Sequence, residues 1–223
     1  MKIVKQSVEI LTDLSDKQNI LRFLELCGRT AYKSEAKITA DSAKPFLKGL
    51  ISKGHESVIE HFNITVKFIC DRGVTHELVR HRIASYTQES TRYCNYAGKD
   101  ISVIEPPFSP QREDCSVPGL VPTPVQTSRF YWNKAIEACE VAYNELIENG
   151  ESPQIARSVL PNSLKTEIIS TMNVRQWRHV LELRTDKSAH PQIRELMNDL
   201  LDLLQLDLPV LFEDIPNPRG KGC

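Results

Sequence analysis

The 223-residue sequence lacks several features that define whole classes of protein. No stretch approaches the roughly 18 consecutive apolar residues of a transmembrane helix, and residues 1–10 contain no continuous apolar run that would indicate a signal peptide. Neither sign of charge is in excess, since 28 Lys and Arg face 29 Asp and Glu. A dedicated nucleic-acid binder is usually strongly basic. We therefore expect a soluble, cytoplasmic protein that binds neither membranes nor nucleic acid.

Metal-ligating residues at a standard spacing are also missing. The six cysteines are scattered without a Cys-x-x-Cys pair, which favours free thiols over a disulfide framework in a chain without a secretion signal. The segment 54–61 carries two histidines and two glutamates, but not the helical histidine pair, four residues apart, of the zinc proteases. The sequence therefore predicts no metal site. His55, which follows a glycine, could instead gate or stack against a planar ligand.

What is present is a mixture of strand and helix patterns. Phe62–Cys70 alternates apolar and polar residues, as a half-buried strand does, and a second strand is predicted over Leu164–Met172. Apolar residues at helical spacing, with terminating signals, predict helices over residues 19–27, 42–53, 74–83, 127–148, 174–183 and 191–204. Because strands and helices show no βαβ rhythm, we expect a single α+β domain over residues 1–223.

Three further segments carry no predicted helix or strand. Ser85–Asn95 is polar and rich in hydroxyl groups. Glu105–Pro124 holds six of the thirteen prolines, which makes it an extended excursion and a candidate lid or subunit-contact loop. The tail from Leu208 carries Pro and Gly and is expected to be peripheral.

The densest run of chemistry-bearing residues begins with an Arg-His-Arg triplet. Arg80-His81-Arg82 is followed, after seven residues, by Ser90 and then by Arg92. Arginine presents a planar fork of donors that suits phosphate, carboxylate or a base edge. Cations also gather at helix C-termini without any ligand, and a lone triplet would favour that explanation. The attached segment has little apolar surface to bury, which favours a ligand site.

A further cluster follows the second predicted strand. Arg175 and His179 are four residues apart and share a helix face, whereas Arg184 comes round only roughly. A solvated helix face explains this pattern slightly better than a ligand does. Asn173 lies at a strand end, where ligand contacts are common.

Taken together, these clusters resemble the flavin-dependent thymidylate synthases. The matching segments are Gly54-His55-Glu56 with Glu60-His61, Arg80-His81-Arg82 with Ser90 and Arg92, Ala156-Arg157 with Val159-Leu160-Pro161, Asn173-x-Arg175, and Leu183-Arg184, with Arg29-Thr30 resembling an early family segment. One short motif arises by chance, but five in the family's order are hard to explain otherwise.

The resemblance implies both an architecture and a reaction. It implies a mostly antiparallel sheet flanked by helices, in a homotetramer with active sites at the subunit interfaces. It also implies that dUMP is methylated to dTMP, with 5,10-methylenetetrahydrofolate as carbon donor, FAD as hydride carrier and NADPH as reductant.

The resemblance also assigns site residues. Those assigned to dUMP are Glu77, Arg80, Gln88, Glu89, Ser90, Arg92, Arg157 and Arg184. Those assigned to FAD are Ser57, Glu60, Arg80, His81, Arg82, Ile83, Asn173, Arg175 and His179. Catalytic roles fall to Ser90, Arg184 and His55. Ser90 is interpreted as activating rather than attacking the uracil ring, because no adjacent His–carboxylate pair is evident to activate it.

Some positions depart from the family pattern. Glu77 stands where many members carry Gln, and a carboxylate there would repel a phosphate unless it were protonated or paired with arginine. His179 replaces a frequent Asn. Cys94 lies close to Arg92, but the resemblance argues against a nucleophilic role for it.

Two other hypotheses stay open at this point. Arginine clusters with Tyr86, Tyr93 and Tyr96 would also suit a non-catalytic nucleotide- or RNA-binding module. A divergent family member that binds FAD but has lost activity is the second, because of Glu77.

Overall fold

A computed structural model describes residues 1–98, 100–108 and 128–219, which form two compact units. The first unit contains residues 1–5, 71–73 and the described part of 89–166. The second contains residues 6–70, 74–88 and the described part of 167–223. The single domain expected over residues 1–223 stays a prediction.

Strands and helices are mixed along the described residues, as the sequence predicted. The strands are β1 Lys2–Val4, β2 Ser7–Ile10, β3 Asn63–Asp71, β4 Ser85–Gln88, β5 Ser102–Ile104 and β6 Lys165–Asn173. The α-helices are α1 Lys17–Thr30, α2 Ala43–Ile51, α3 Arg72–Leu78, α4 Ser128–Glu148, α5 Pro153–Ala156, α6 Val174–Thr185, α7 Pro191–Asp207 and α8 Pro209–Phe212. Short 3-10 segments cover Glu35–Lys37, Glu56–His61 and Arg157–Val159.

The second unit is built on a four-stranded sheet in the order β2-β3-β6-β4. β2 pairs antiparallel with β3, and β4 pairs antiparallel with β6. The long strands bury alternate residues, and Ile64, Val66 and Phe68 of β3 are fully buried. Trp177 of α6 packs against Phe68 and donates its indole N–H to the Ile64 carbonyl oxygen at 2.8 Å. This contact attaches α6 to the sheet, and α6 carries several of the predicted site residues.

The first unit has a smaller core. β1 pairs parallel with β5, and Val103 of β5 makes an antiparallel bridge with Leu164. Helix α4 contributes buried Ile136 and Tyr143, although most of its residues are not buried.

The described elements confirm the main periodic predictions. The two long strands lie within two residues of their predicted bounds, and α4 ends before Gly150, which takes a positive φ of 91°. Gly54 likewise has a positive φ of 71° after α2. Such backbone favours glycine and ends a helix. Within the ranges described, no helix is long and apolar enough to span a membrane.

Two predictions from the sequence were wrong, and one segment that carried no predicted element begins with a strand. The helix predicted over 74–83 ends at Leu78, five residues early. The polar segment 85–95 begins with β4, whose regularity comes from pairing with β6 rather than from its own pattern. The tail from Leu208 is not peripheral, because Val210, Leu211 and Phe212 of α8 are buried in the core of the second unit. The proline-rich excursion lies largely outside the described residues.

Candidate active site

The Arg-His-Arg triplet follows α3 and alternates its side chains between core and solvent. His81 is buried with 7% exposure, whereas Arg80 and Arg82 are exposed on either side of it. The Tyr86 hydroxyl holds this turn, since it lies 2.8 Å from the carbonyl oxygens of both Leu78 and His81. Among the residues that the structure describes, the guanidinium groups of Arg80 and Arg82 have no ion-pair partner. They are therefore available to a ligand.

Arg184, in the last turn of α6, is held from two sides. Its Nε donates to His81 Nε2 at 3.0 Å, and its Nη1 donates to the Glu77 carboxylate at 2.8 Å. Its Nη2 donates to the Glu77 backbone carbonyl oxygen at 3.2 Å. These bonds use three of the five guanidinium N–H donors and leave two for a ligand. Glu77 is therefore paired with arginine, which is one of the two states that the sequence required of a carboxylate here.

The buried histidine is a neutral acceptor. Burial, with nearby Arg184 and His179, lowers the pKa of His81 from its ordinary 6.5 to about 4. The His81 and His179 rings meet edge to face with centroids 6.2 Å apart. Because neutral imidazole accepts at one nitrogen and donates at the other, a bond accepted at Nε2 places the proton on Nδ1. His81 thus orients Arg184 without adding a positive charge.

A cavity of about 440 Å³ lies along α6. This volume is within the range of small-molecule sites, about 300–1,000 Å³. The lining residues are Glu56, Glu60, Ile83, Asn173, Arg175, Gln176, Arg178, His179 and Glu182. They include members of the 3-10 segment 56–61 and of α6, together with the residue directly after the triplet. The fold therefore brings together residues from all three clusters that the sequence singled out.

The mouth of the cavity carries an arginine held by carboxylates. Arg175 has 51% of its side chain exposed and donates from Nη1 to Glu60 at 2.6 Å. Glu56 lies 3.6 Å from Arg175 Nε. Asn173 ends β6 and caps α6, accepting the backbone N–H of Gln176 at 2.8 Å. Among the described residues the side-chain amide nitrogen of Asn173 has no partner, and Asn173 lines the cavity.

Four of the residues predicted for dUMP lie in the first unit, namely Glu89, Ser90, Arg92 and Arg157. Arg157 is exposed and donates to the Thr91 hydroxyl at 3.2 Å. Arg92 is also exposed and donates from Nε to Gln154 at 3.3 Å. The Ser90 hydroxyl accepts the backbone N–H of Arg92 at 3.3 Å. Each of the two arginines therefore keeps guanidinium donors for a ligand.

The side chains of Gln88 and Glu89, which are also predicted for dUMP, make internal bonds. Gln88, in the second unit, donates to the Thr75 hydroxyl at 3.1 Å. Glu89, in the first unit, accepts from the Tyr96 hydroxyl at 3.0 Å and from Lys165 Nζ at 3.2 Å. Nucleotide contacts by these two residues would therefore use their backbone groups.

His55 and Ser57 are exposed near the cavity-lining segment, but neither lines the cavity. Cys27, Cys94 and Cys139 carry free thiols. Among the described residues, no group of three or more His, Cys, Asp or Glu side chains could hold a metal ion.

Sequence reasoning missed Arg178, which lines the cavity and is only 4% exposed. It donates to Glu56, Asp214 and the Leu211 carbonyl oxygen. The apolar spacing of α6 places it beside core residue Trp177, and a charged residue at such a position was the available signal.

The whole-chain comparison agrees with the clusters. Residues 12–210 match the family model described as thymidylate synthase complementing protein. A flavin-dependent thymidylate synthase of Geobacter sulfurreducens is 36% identical over 205 residues, covering 89% of this chain and 81% of that relative. The chain belongs to the flavin-dependent thymidylate synthase family. A flavin-dependent thymidylate synthase of Mycobacterium tuberculosis is 32% identical over 198 residues, covering 86% of this chain and 78% of that relative.

Solved structures agree on the fold of this family member. The crystal structure of a UMP/dUMP methylase, PolB from Streptomyces cacaoi, bound with 5-Br dUMP, superposes with a TM-score of 0.74 at 23% identity. The match covers 96% of each chain. The mixed α+β architecture that the resemblance implied is therefore confirmed.

Proposed function

We propose that this protein converts dUMP to dTMP by reductive methylation. In this proposal 5,10-methylenetetrahydrofolate is the carbon donor, FAD the hydride carrier and NADPH the reductant. The observation that carries the proposal is the cavity along α6, a helix whose last turn carries an arginine that His81 and Glu77 hold in place, in a chain of this family. The names of the sequence relatives support the reaction.

The cavity residues fit a flavin dinucleotide. FAD joins a planar ring system to an anionic pyrophosphate, so its site needs apolar surface and cationic donors together. Ile83 is 70% exposed and lines the cavity, and Arg175 reaches its mouth. Bound FAD supplies the hydride. The residues proposed to hold it are Ser57, Glu60, Arg80, His81, Arg82, Ile83, Asn173, Arg175 and His179.

Arg184 is the proposed electrostatic catalyst. Its position is fixed by three hydrogen bonds before any substrate binds, and two of its N–H donors remain. An arginine at a uracil carbonyl oxygen stabilises the enolate charge that develops in the transition state. Because the guanidinium is already oriented, it needs little reorganisation as the reaction proceeds.

The remaining dUMP contacts are proposed to come from a neighbouring subunit of a homotetramer. Arg92 and Arg157 have the spare donors that a phosphate needs. Ser90 would lie near the uracil reactive carbon and activate it without forming a covalent bond. Cys94 has no part in this proposal. A cytoplasmic location belongs to the same proposal, and the free thiols support it.

The proposal is tested first by the visible spectrum of the purified protein. We expect yellow protein with flavin absorbance that responds to added dUMP. We also expect tritium release from dUMP labelled at C5, dependent on both the folate and NADPH. Colourless protein that cannot be reconstituted with FAD would sink the proposal.

A variant pair tests the role of Arg184. Arg184→Ala should lower tritium release by about 10²–10³-fold while flavin stays bound, since one transition-state donor is worth that much. The matched control is Arg194→Ala, because the Arg194 side chain donates to the Lys187 carbonyl oxygen at the surface and does not line the cavity. Equal activity in the two variants would remove Arg184 from the mechanism.

A further inference from the structure

Arg178 is a buried cation with carboxylates on two sides. Its Nη1 and Nη2 donate to the two carboxylate oxygens of Asp214, both at 2.7 Å. Its Nε donates to Glu56 Oε1 at 3.1 Å, and Nη1 also donates to the Leu211 carbonyl oxygen. A buried arginine needs such partners, because an uncompensated charge in the core is strongly destabilising. The bidentate pair also fixes the plane of the guanidinium.

Glu56 links this buried arginine to the mouth of the cavity. One of its oxygens accepts from Arg178, and the other lies 3.6 Å from Arg175 Nε. Arg175 is held in turn by Glu60. Glu56, Arg175 and Arg178 all line the cavity, whereas Asp214 does not. Ion pairs therefore connect Asp214, through Arg178 and Glu56, to Arg175 at the proposed flavin site.

The backbone of Asp214 is held by the buried helix that precedes it, so Asp214 is suited to anchor Arg178. It follows α8, whose Val210, Leu211 and Phe212 are buried. Its own side chain is 49% exposed, so changing it removes little packing. The Arg178 guanidinium lowers the pKa of Asp214 below its ordinary value of 3.8, so the carboxylate stays charged at neutral pH.

We propose that Asp214 and Arg178 are positioning residues for the flavin cavity: they hold Glu56 in place and keep the Arg178 guanidinium against the cavity wall. This inference rests on the proposed function, since it assumes that FAD binds there. Without Asp214, Arg178 loses two of its four bonds, and the wall that it forms with Glu56 is no longer preorganised. A cavity wall that is not ordered in the free protein must be ordered when the ligand binds, and this cost weakens binding.

The test measures FAD affinity of the full-length apoprotein by flavin fluorescence, alongside thermal unfolding. Asp214→Ala should raise the FAD Kd about tenfold, and Asp214→Asn, which keeps an acceptor, should lie between it and wild type. The matched control is Glu213→Ala, because Glu213 is the adjacent residue and pairs with Lys48 instead. It should leave the FAD Kd within about twofold of wild type.

A double-mutant cycle shows whether the effect passes through Arg178. No hydrogen bond joins Asp214 to Glu56, so coupling between them reports their shared partner. In a Glu56→Gln background, Asp214→Ala should change the FAD Kd by less than about threefold. Additive effects, or tighter FAD binding in Asp214→Ala, would overturn the inference.

Two further outcomes separate the inference from the proposed function. An unchanged FAD Kd in Asp214→Ala, with a lower melting temperature, would assign the residue a structural role only and overturn the inference alone. Wild-type protein that binds no FAD would overturn the inference and the proposed function together.

Discussion

His81 and Glu77 act on Arg184 in different ways. His81 contributes a neutral acceptor at 3.0 Å, and Glu77 contributes a charged acceptor at 2.8 Å. The first orients the guanidinium, whereas the second also offsets its charge.

Replacing Glu77 tests whether its carboxylate holds Arg184 or repels the substrate. Glu77→Gln keeps an acceptor for Arg184, so we expect kcat for tritium release to change by less than about fivefold. Glu77→Ala removes the acceptor and should lower kcat by about 10–100-fold, since misplacing a catalytic group costs that much. A large gain in activity in Glu77→Gln would contradict this and support a divergent member with impaired activity.

The buried state of His81 predicts a pH dependence of stability. Its folded pKa of about 4 lies below its ordinary 6.5, so the unfolded chain binds the proton first as pH falls. The stabilising effect is therefore complete above about pH 6.5 and is lost between pH 6.5 and 4. At about 1.4 kcal/mol per pKa unit, lowering the pKa from 6.5 to about 4 corresponds to a loss of about 3 kcal/mol in the free energy of unfolding.

Urea unfolding across this pH range checks the prediction. In His81→Asn, the free energy of unfolding should fall less between pH 6.5 and 4 than it does in wild type, by the loss given above. His76→Asn, which changes an exposed histidine of α3, is the control and should follow wild type. Parallel curves for wild type and His81→Asn would contradict the prediction.

At the scale of elements, α6 organises the second unit and its cavity. Trp177, Val180 and Leu181 face the core, and Arg175 and His179 line the cavity. This division follows the 3.6-residue period of the helix, which separates the two sets onto different faces. One helix thus fixes the relative positions of core and cavity residues.

Asn173 has two proposed roles, because it caps the start of α6 and lines the cavity in which FAD is proposed to bind. Asn173→Ala removes the N-cap and should lower the free energy of unfolding by about 1 kcal/mol, whereas Asn173→Asp keeps the cap. Both variants lose the amide donor, so both should bind FAD more weakly than wild type. Urea unfolding and FAD titration measure the two effects separately. If the Asp and Ala variants are equally destabilised, the capping role is wrong.

At the scale of the whole molecule, the proposed tetramer predicts complementation between subunits. In the proposal, each active site takes Arg80 from one subunit and Ser90 from a neighbouring subunit. Arg80→Ala and Ser90→Ala homotetramers should each be almost inactive, while mixed tetramers should recover part of the wild-type rate. Tritium release after co-expression with two affinity tags measures this. The control mixes wild-type with Arg80→Ala subunits at known ratios.

The outcome decides between shared and self-contained sites. Mixed tetramers with no more activity than either parent would show that each subunit supplies both residues to its own site.

The sequence by itself determined the family, the long strands and helices, and most residue types of the candidate site. Strong alternation predicted β3 and β6 because a half-buried strand repeats every two residues. The clusters around His55, Arg80 and Arg175 were visible because each is continuous in the chain. Local patterns of this kind need no partner to be recognised.

Only the tertiary structure decided which charged groups meet. Arg184 meets Glu77 across 107 positions of sequence, and Arg178 meets Glu56 across 122. The burial of α8 and the pairing of β4 likewise depend on distant elements. Burial and ion pairing are properties of the neighbours that folding supplies, and a local pattern carries no information about them. For that reason the sequence alone predicted that Glu77 could repel a phosphate, whereas in the fold its carboxylate is paired with Arg184.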